Sequence, residues 1–87
     1  IIYSDPFNSI QKWDWQLQLG ISLGQENNLP GAIAAFRQSA QLSPTAPEPL
    51  FHLGSTYQKQ GNLGEATAAF RQATQRNPNY TEAHYSL

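Results

Sequence analysis

Apolar side chains recur every three or four residues along most of this chain, which is the spacing of one face of an α-helix. Ile10, Trp13 and Leu17 show this spacing first, so they predict a helix already running at residue 10 and continuing to about residue 26. The same spacing predicts further helices over about 30–42, 47–60 and 64–76. Prolines and glycines separate these stretches, and the residue before a proline disfavours helix. The pattern predicts an all-α protein made of helical hairpins.

The two predicted hairpins are copies of one another. Residues 28–44 and 62–78 share NL at the start, AAFRQ in the middle and a proline at the end, at an offset of 34 residues. Self-similarity at such a period indicates a repeat array. We therefore divide the chain into a lead-in segment at 1–12, a first repeat at 13–46, a second at 47–80, and the start of a third repeat or a capping helix at 81–87.

The segments at the two ends of the repeat array can be interpreted in more than one way. The lead-in is interpreted either as an ordered segment that covers the end of the stack or as the remnant of an earlier repeat. The sequence begins at Ile1 rather than Met and stops at Leu87 within the repeat pattern. We expect it to be part of a longer or processed protein.

Each repeat combines small and large residues in a way that predicts close helix packing. Gly20 and Gly54 follow a leucine in mid-helix, where glycine costs about 1 kcal/mol relative to alanine, so each is expected to face a neighbouring helix. We predict that Ala32 and Ala66 oppose these glycines and that phenylalanines fill the space between successive hairpins. The predicted packing residues of the first helices are Leu19, Leu23, Leu50, Leu53 and Tyr57.

Composition excludes several classes of function. The net charge is −1 and charged residues make up 13% of the chain, so no basic surplus favours nucleic acid. Cysteine is absent, which excludes disulfides and thiolate chemistry. No apolar run approaches the roughly 20 residues of a membrane span. His52 and His84 lack neighbouring ligands at metal-binding spacing, and Arg37 and Arg71 are expected on a solvated convex face. We expect no metal, no cofactor and no enzymatic activity, and the compartment stays open.

The repeated residues resemble the tetratricopeptide repeat. The resemblance rests on positions that recur in both copies: Leu19-Gly20, Leu23, Ala32, Phe36 and Pro44, then Leu53-Gly54, Tyr57, Ala66, Phe70 and Pro78. It implies an α-solenoid, a right-handed superhelix of helix-turn-helix repeats, that binds a peptide or a partner helix in its concave groove. The groove residues implied by the resemblance are Asp14, Leu17, Ile21, Gly24, Gln25, Glu48, Phe51, Ser55, Gln58, Lys59, Glu82 and Tyr85.

Two features of these groove residues have competing interpretations. Leu17, Phe51 and the other apolar members could contact a partner or could pack against neighbouring helices. Asp14, Glu48 and Glu82 are 34 residues apart, and they could guide a basic peptide. We favour the alternative that each acid lies in the first turn of a helix, where the macrodipole stabilises it. A basic clamp for carboxylates is not expected, because Lys59 is the one cation among these positions.

Three hypotheses for function follow. The chain could be a non-enzymatic interaction module whose apolar groove binds a protein or peptide. It could instead self-associate, giving a homo-oligomer in which another copy completes the open repeat stack, since arrays usually need at least about three repeats for stability. It could also be a regulatory segment of a larger enzyme.

Overall fold

The structure, a computed structural model, describes the backbone of residues 6–77 and the side chains of residues 13–77. Four helices account for the regular structure in this range: α1 (Pro6–Gln25), α2 (Leu29–Leu42), α3 (Glu48–Gln60) and α4 (Leu63–Arg76). Helix α1 packs against α2, α3 packs against α4, and α2 packs against α3, which stacks the two hairpins. The predicted all-α repeat fold is confirmed.

The first helix is longer than its counterpart in the second repeat. Helix α3 begins at Glu48, whose equivalent 34 residues earlier is Asp14, but α1 already begins at Pro6. Eight additional residues, or about two helical turns, therefore precede the part of α1 that matches α3. The lead-in residues from Pro6 onward continue directly into the first repeat helix.

Asparagine side chains start the second helix of each hairpin. The Asn28 side chain accepts a hydrogen bond from the Gly31 amide at 3.1 Å, and Asn62 accepts one from the Glu65 amide at 3.4 Å. Each amide is one of the unpaired donors at a helix start. The turn before each cap is left-handed, with Gly61 at φ 83° and its repeat equivalent Asn27 at φ 64°. The duplicated turn chemistry gives both hairpins the same connection.

The core of each hairpin is a phenylalanine ring packed onto a glycine. A Cβ atom added to Gly20 would lie 2.5 Å from the Phe36 ring, and one added to Gly54 would lie 2.7 Å from the Phe70 ring. The prediction that alanines oppose these glycines is wrong, because the rings occupy that space. Ala32 instead lies opposite Gly24, at 4.0 Å from a Cβ built there. The contact between the large phenylalanine ring and the small glycine is therefore made within each hairpin.

Leu19 does not have the packing role predicted for it. Its side chain is 48% exposed, whereas that of its repeat equivalent Leu53 is 7% exposed. Helix α2 of the preceding hairpin packs against α3, but no described helix of a preceding hairpin packs against α1. Sequence identity between repeats therefore does not give the two leucines the same environment.

Polar contacts tie the elements together. The buried Ser39 hydroxyl donates to the Trp13 carbonyl at 2.6 Å, which joins α2 to α1. Arg37 donates to the Tyr57 hydroxyl at 2.5 Å, although the residue as a whole is exposed as predicted. The Nη1 atom of Arg76 donates to the carbonyls of Ala40, Ser43 and Ala46. These bonds link the end of α4 to the end of α2 and to the loop between the hairpins.

Candidate functional site

A cleft between the first helices of the two repeats is the candidate site, and we call it the inner cleft. It encloses about 140 Å³ between α1 and α3, and Phe36 of α2 forms part of its wall. Its remaining residues are Gly20, Ile21, Gly24 and Gln25 from α1 and His52, Ser55, Thr56 and Lys59 from α3.

Repeat symmetry explains which side chains line the inner cleft. Ile21 and Gln25 are four residues apart on α1, and Ser55 and Lys59 are four apart on α3, so each pair shares a helix face. Ser55 and Lys59 are also the 34-residue equivalents of Ile21 and Gln25. Stacking of the hairpins brings these four predicted groove residues to one cleft.

Gly24 also lines the inner cleft, whereas the remaining predicted residues lie elsewhere or have a different environment. Leu17 is only 6% exposed and belongs to the hydrophobic core. It therefore packs against neighbouring helices and is not exposed to a partner. Phe51 is partly buried, and its ring lies 5.7 Å from the Phe70 ring. Gln58 is exposed and does not line the cleft. Glu82 and Tyr85 lie outside the described residues.

The interpretation of the acidic positions needs one correction. Glu48 lies in the first turn of α3, as expected. Asp14 is exposed in the middle of α1, because that helix begins at Pro6. The macrodipole acts mainly within the terminal turns, so it does not account for Asp14. Glu82 lies outside the described residues.

His52 is a cleft residue that the sequence interpretation did not include. Its imidazole stacks on the Phe36 ring with centroids 5.4 Å apart and an interplanar angle of 16°. Burial lowers the pKa of His52, and the Glu48 carboxylate offsets part of this shift. The imidazole is therefore neutral at neutral pH. His52 is three residues from Ser55, so the two lie on one face of α3, and this spacing could have assigned His52 to the groove. The first repeat has Gln18 at the equivalent position, so the histidine is not duplicated.

Glycine keeps part of the inner cleft open. A Cβ atom added at Gly24 would meet only the Ala32 Cβ, at 4.0 Å, so the space above this residue is empty of other side chains. The lining combines the apolar side chains of Ile21 and Phe36 with hydrogen-bonding groups and the cation Lys59. Such a surface can hold a mixed polar and apolar chain segment.

Within the described part of the chain, no group of three or more His, Asp or Glu side chains could hold a metal ion. No helix there is long and apolar enough to cross a bilayer.

Comparison with known proteins bears on the repeat architecture. A family model described as tetratricopeptide repeat matches residues 24–87. The match begins at Gly24, near the end of α1, and includes all of the second repeat. No curated protein matches the sequence.

Proposed function

Because the chain belongs to the tetratricopeptide repeat family, we propose that it is a protein–protein interaction scaffold that holds a peptide or partner helix in the inner cleft. Family members are typically non-catalytic scaffolds. The observation that carries the proposal is the cleft between α1 and α3, to which both repeats contribute equivalent side chains. A ligand seated there would contact both hairpins at once.

The chemistry of the lining suggests what this ligand contains. Ile21 provides an apolar contact, while Gln25 and Ser55 can hydrogen-bond to a peptide backbone or to polar side chains. Lys59 supplies one positive charge, so a single acidic group on the ligand is favoured. One lysine does not form the multiple cationic contacts of a carboxylate clamp, and the proposed partner is held mainly by shape and neutral hydrogen bonds.

Peptides selected from a random library against the whole chain provide the test. We expect Lys59→Glu and Ile21→Asn each to weaken binding of a selected peptide by about tenfold, which is the scale of a central interface residue. Fluorescence polarisation of the labelled peptide measures the affinity. Arg71→Glu is the matched control, because it makes the same change of charge at an exposed residue of α4 outside the cleft.

Circular dichroism of each variant separates lost binding from lost folding. Selected peptides that bind both cleft variants as tightly as the original chain, with helicity retained, would show that recognition occurs elsewhere. Equal weakening by Arg71→Glu would indicate a general charge effect.

Self-association is a second candidate, favoured by a surface that we call the exposed repeat face. This surface has a cavity of about 360 Å³ lined by Gln16 and Leu19 of α1 and by Gly31, Ala34, Ala35 and Gln38 of α2. The second repeat has an equivalent of each of these residues, 34 positions later. Those equivalents line another cleft, whose opposite wall is α2 of the first repeat. The exposed repeat face thus matches a surface that a neighbouring repeat partly covers.

Sedimentation of the chain across a range of concentrations tests self-association. If a second copy covers the exposed repeat face, the mean mass rises with concentration, and Leu19→Glu shifts the midpoint upward by about tenfold or more. A mass that stays monomeric at every concentration contradicts this candidate without affecting the inner-cleft proposal. The role as a regulatory segment of a larger enzyme stays a prediction about residues beyond this sequence.

A further inference from the structure

A second cleft, which we call the outer cleft, lies between α2 and α4 and shares no residue with the inner cleft. Its volume is about 320 Å³, more than twice that of the inner cleft. Leu50 and Leu53 of α3 lie among its lining residues and are almost fully buried. The cleft therefore has an apolar base between two helices that carry polar side chains.

The two ends of the outer cleft differ in charge. Arg37 donates to the hydroxyl of Tyr57, whose carbonyl accepts from Asn62 at the start of α4, close to Glu65. Glu65 lies in the first turn of α4, so its negative charge is at that end of the cleft. Arg76 lines the cleft eleven residues further along α4, where no carboxylate accompanies it among the lining residues. Among the described lining residues, this end therefore carries a positive charge without a negative one.

The guanidinium of Arg76 uses one of its nitrogen atoms in hydrogen bonds to the described residues. Its three hydrogen bonds to the loop carbonyls all come from Nη1. Its Nε and Nη2 atoms make no hydrogen bond to the described residues. An edge with two parallel N–H groups matches the two oxygens of one carboxylate. Inorganic phosphate presents the same pair of oxygens to this edge, but it has no apolar group to cover Leu50 and Leu53.

Helix geometry sets the length of the ligand. Glu65, Ala68, Gln72 and Arg76 follow one face of α4 at intervals of three or four residues. Eleven residues of helix correspond to about 16 Å. An extended chain rises about 3.3 Å per residue, so about five residues span this distance.

We propose that the outer cleft binds an extended segment of a partner protein, about five residues long, with an acidic side chain at the Arg76 end. Apolar side chains of the segment lie over Leu50 and Leu53, and the Gln72 side-chain amide hydrogen-bonds to the backbone of the segment. This site is separate from the inner cleft and lets the chain contact two segments at once.

The probe is a fluorescein-labelled pentapeptide, Leu-Ala-Leu-Ser-Glu with an amidated end, and its control has Gln in place of Glu. Polarisation with the 87-residue chain should show at least fivefold weaker binding of the control peptide. Gln72→Glu should weaken binding of the acidic peptide about fivefold, because it places a negative charge beside the bound carboxylate. Gln18→Glu is the matched variant, since it makes the same change at an exposed residue of α1 that lines neither cleft nor the exposed repeat face.

Amide shifts in a nitrogen–proton correlation spectrum locate the bound peptide. We expect shifts at Ala68 and Gln72 and none at Gly24 and Ser55 of the inner cleft. The proposal is overturned if the acidic peptide does not bind, if both peptides bind equally, or if the shifts map to the inner cleft. It is also overturned if Gln18→Glu weakens binding as much as Gln72→Glu, or if inorganic phosphate displaces the peptide at equal concentration.

The same spectra keep the two proposals distinct. Peptides selected for the inner cleft should shift Gly24 and Ser55, and Lys59→Glu should leave binding of the acidic pentapeptide within twofold of the original chain. Failure of one site therefore leaves the other measurable.

Discussion

Replacing Phe70 with alanine is expected to lower the free energy of unfolding by about 3–5 kcal/mol. The ring is 1% exposed, packs on Gly54 and lies 5.7 Å from the Phe51 ring. Its removal leaves a cavity at the centre of the second hairpin, and the glycine opposite has no side chain to fill it. A loss of this size is a large fraction of the stability of a small domain.

Chemical denaturation followed by far-ultraviolet circular dichroism measures this loss. Leu63→Ala is the matched control on the same helix, because its side chain is 63% exposed and should change stability by less than about 0.5 kcal/mol. A Phe70→Ala variant as stable as the Leu63→Ala variant would contradict the assigned core.

Two glycine substitutions are expected to change stability in opposite directions. Gly54→Ala should destabilise the chain by about 1–3 kcal/mol, because the new Cβ would lie 2.7 Å from a buried ring. Gly24→Ala should stabilise it by about 0.5–1 kcal/mol, because the Cβ has room and alanine favours helix. Both changes add one methyl group to a helix, so the difference isolates the ring contact.

A double substitution tests the origin of the Gly54→Ala effect. Combining Gly54→Ala with Phe70→Leu should cost less than the sum of the single changes, because the smaller side chain makes room for the added methyl group. Additive costs would indicate that Phe70 is not the group that opposes Gly54. Denaturation midpoints and slopes of all four chains give the comparison.

Part of the candidate site follows from the resemblance to the tetratricopeptide repeat. It implied Ile21 and Gln25 in the first repeat and their 34-residue equivalents Ser55 and Lys59 in the second. Leu17 was also assigned to the groove, but its side chain faces the core. A helical period identifies a face to within about one residue, and it does not show how far a neighbouring helix extends over that face.

His52 shows a different limit of sequence interpretation. The first repeat has Gln18 at the equivalent position, so the duplication gave no signal for the histidine. Its role in the cleft depends on the stacked contact with Phe36, which belongs to the preceding hairpin. Contacts between repeats depend on how the hairpins stack, and single-chain periodicity does not contain that information.

By itself, the sequence determined the four helices, the duplication and the family, because helix periodicity and turn residues are local properties. Only the tertiary structure decided which side chain faces each glycine, why Leu19 is exposed while Leu53 is buried, and which residues form the two clefts. These properties depend on the distances between helices that are far apart in the chain. Equivalent residues in a repeat therefore share a local conformation, while their burial depends on the neighbouring element.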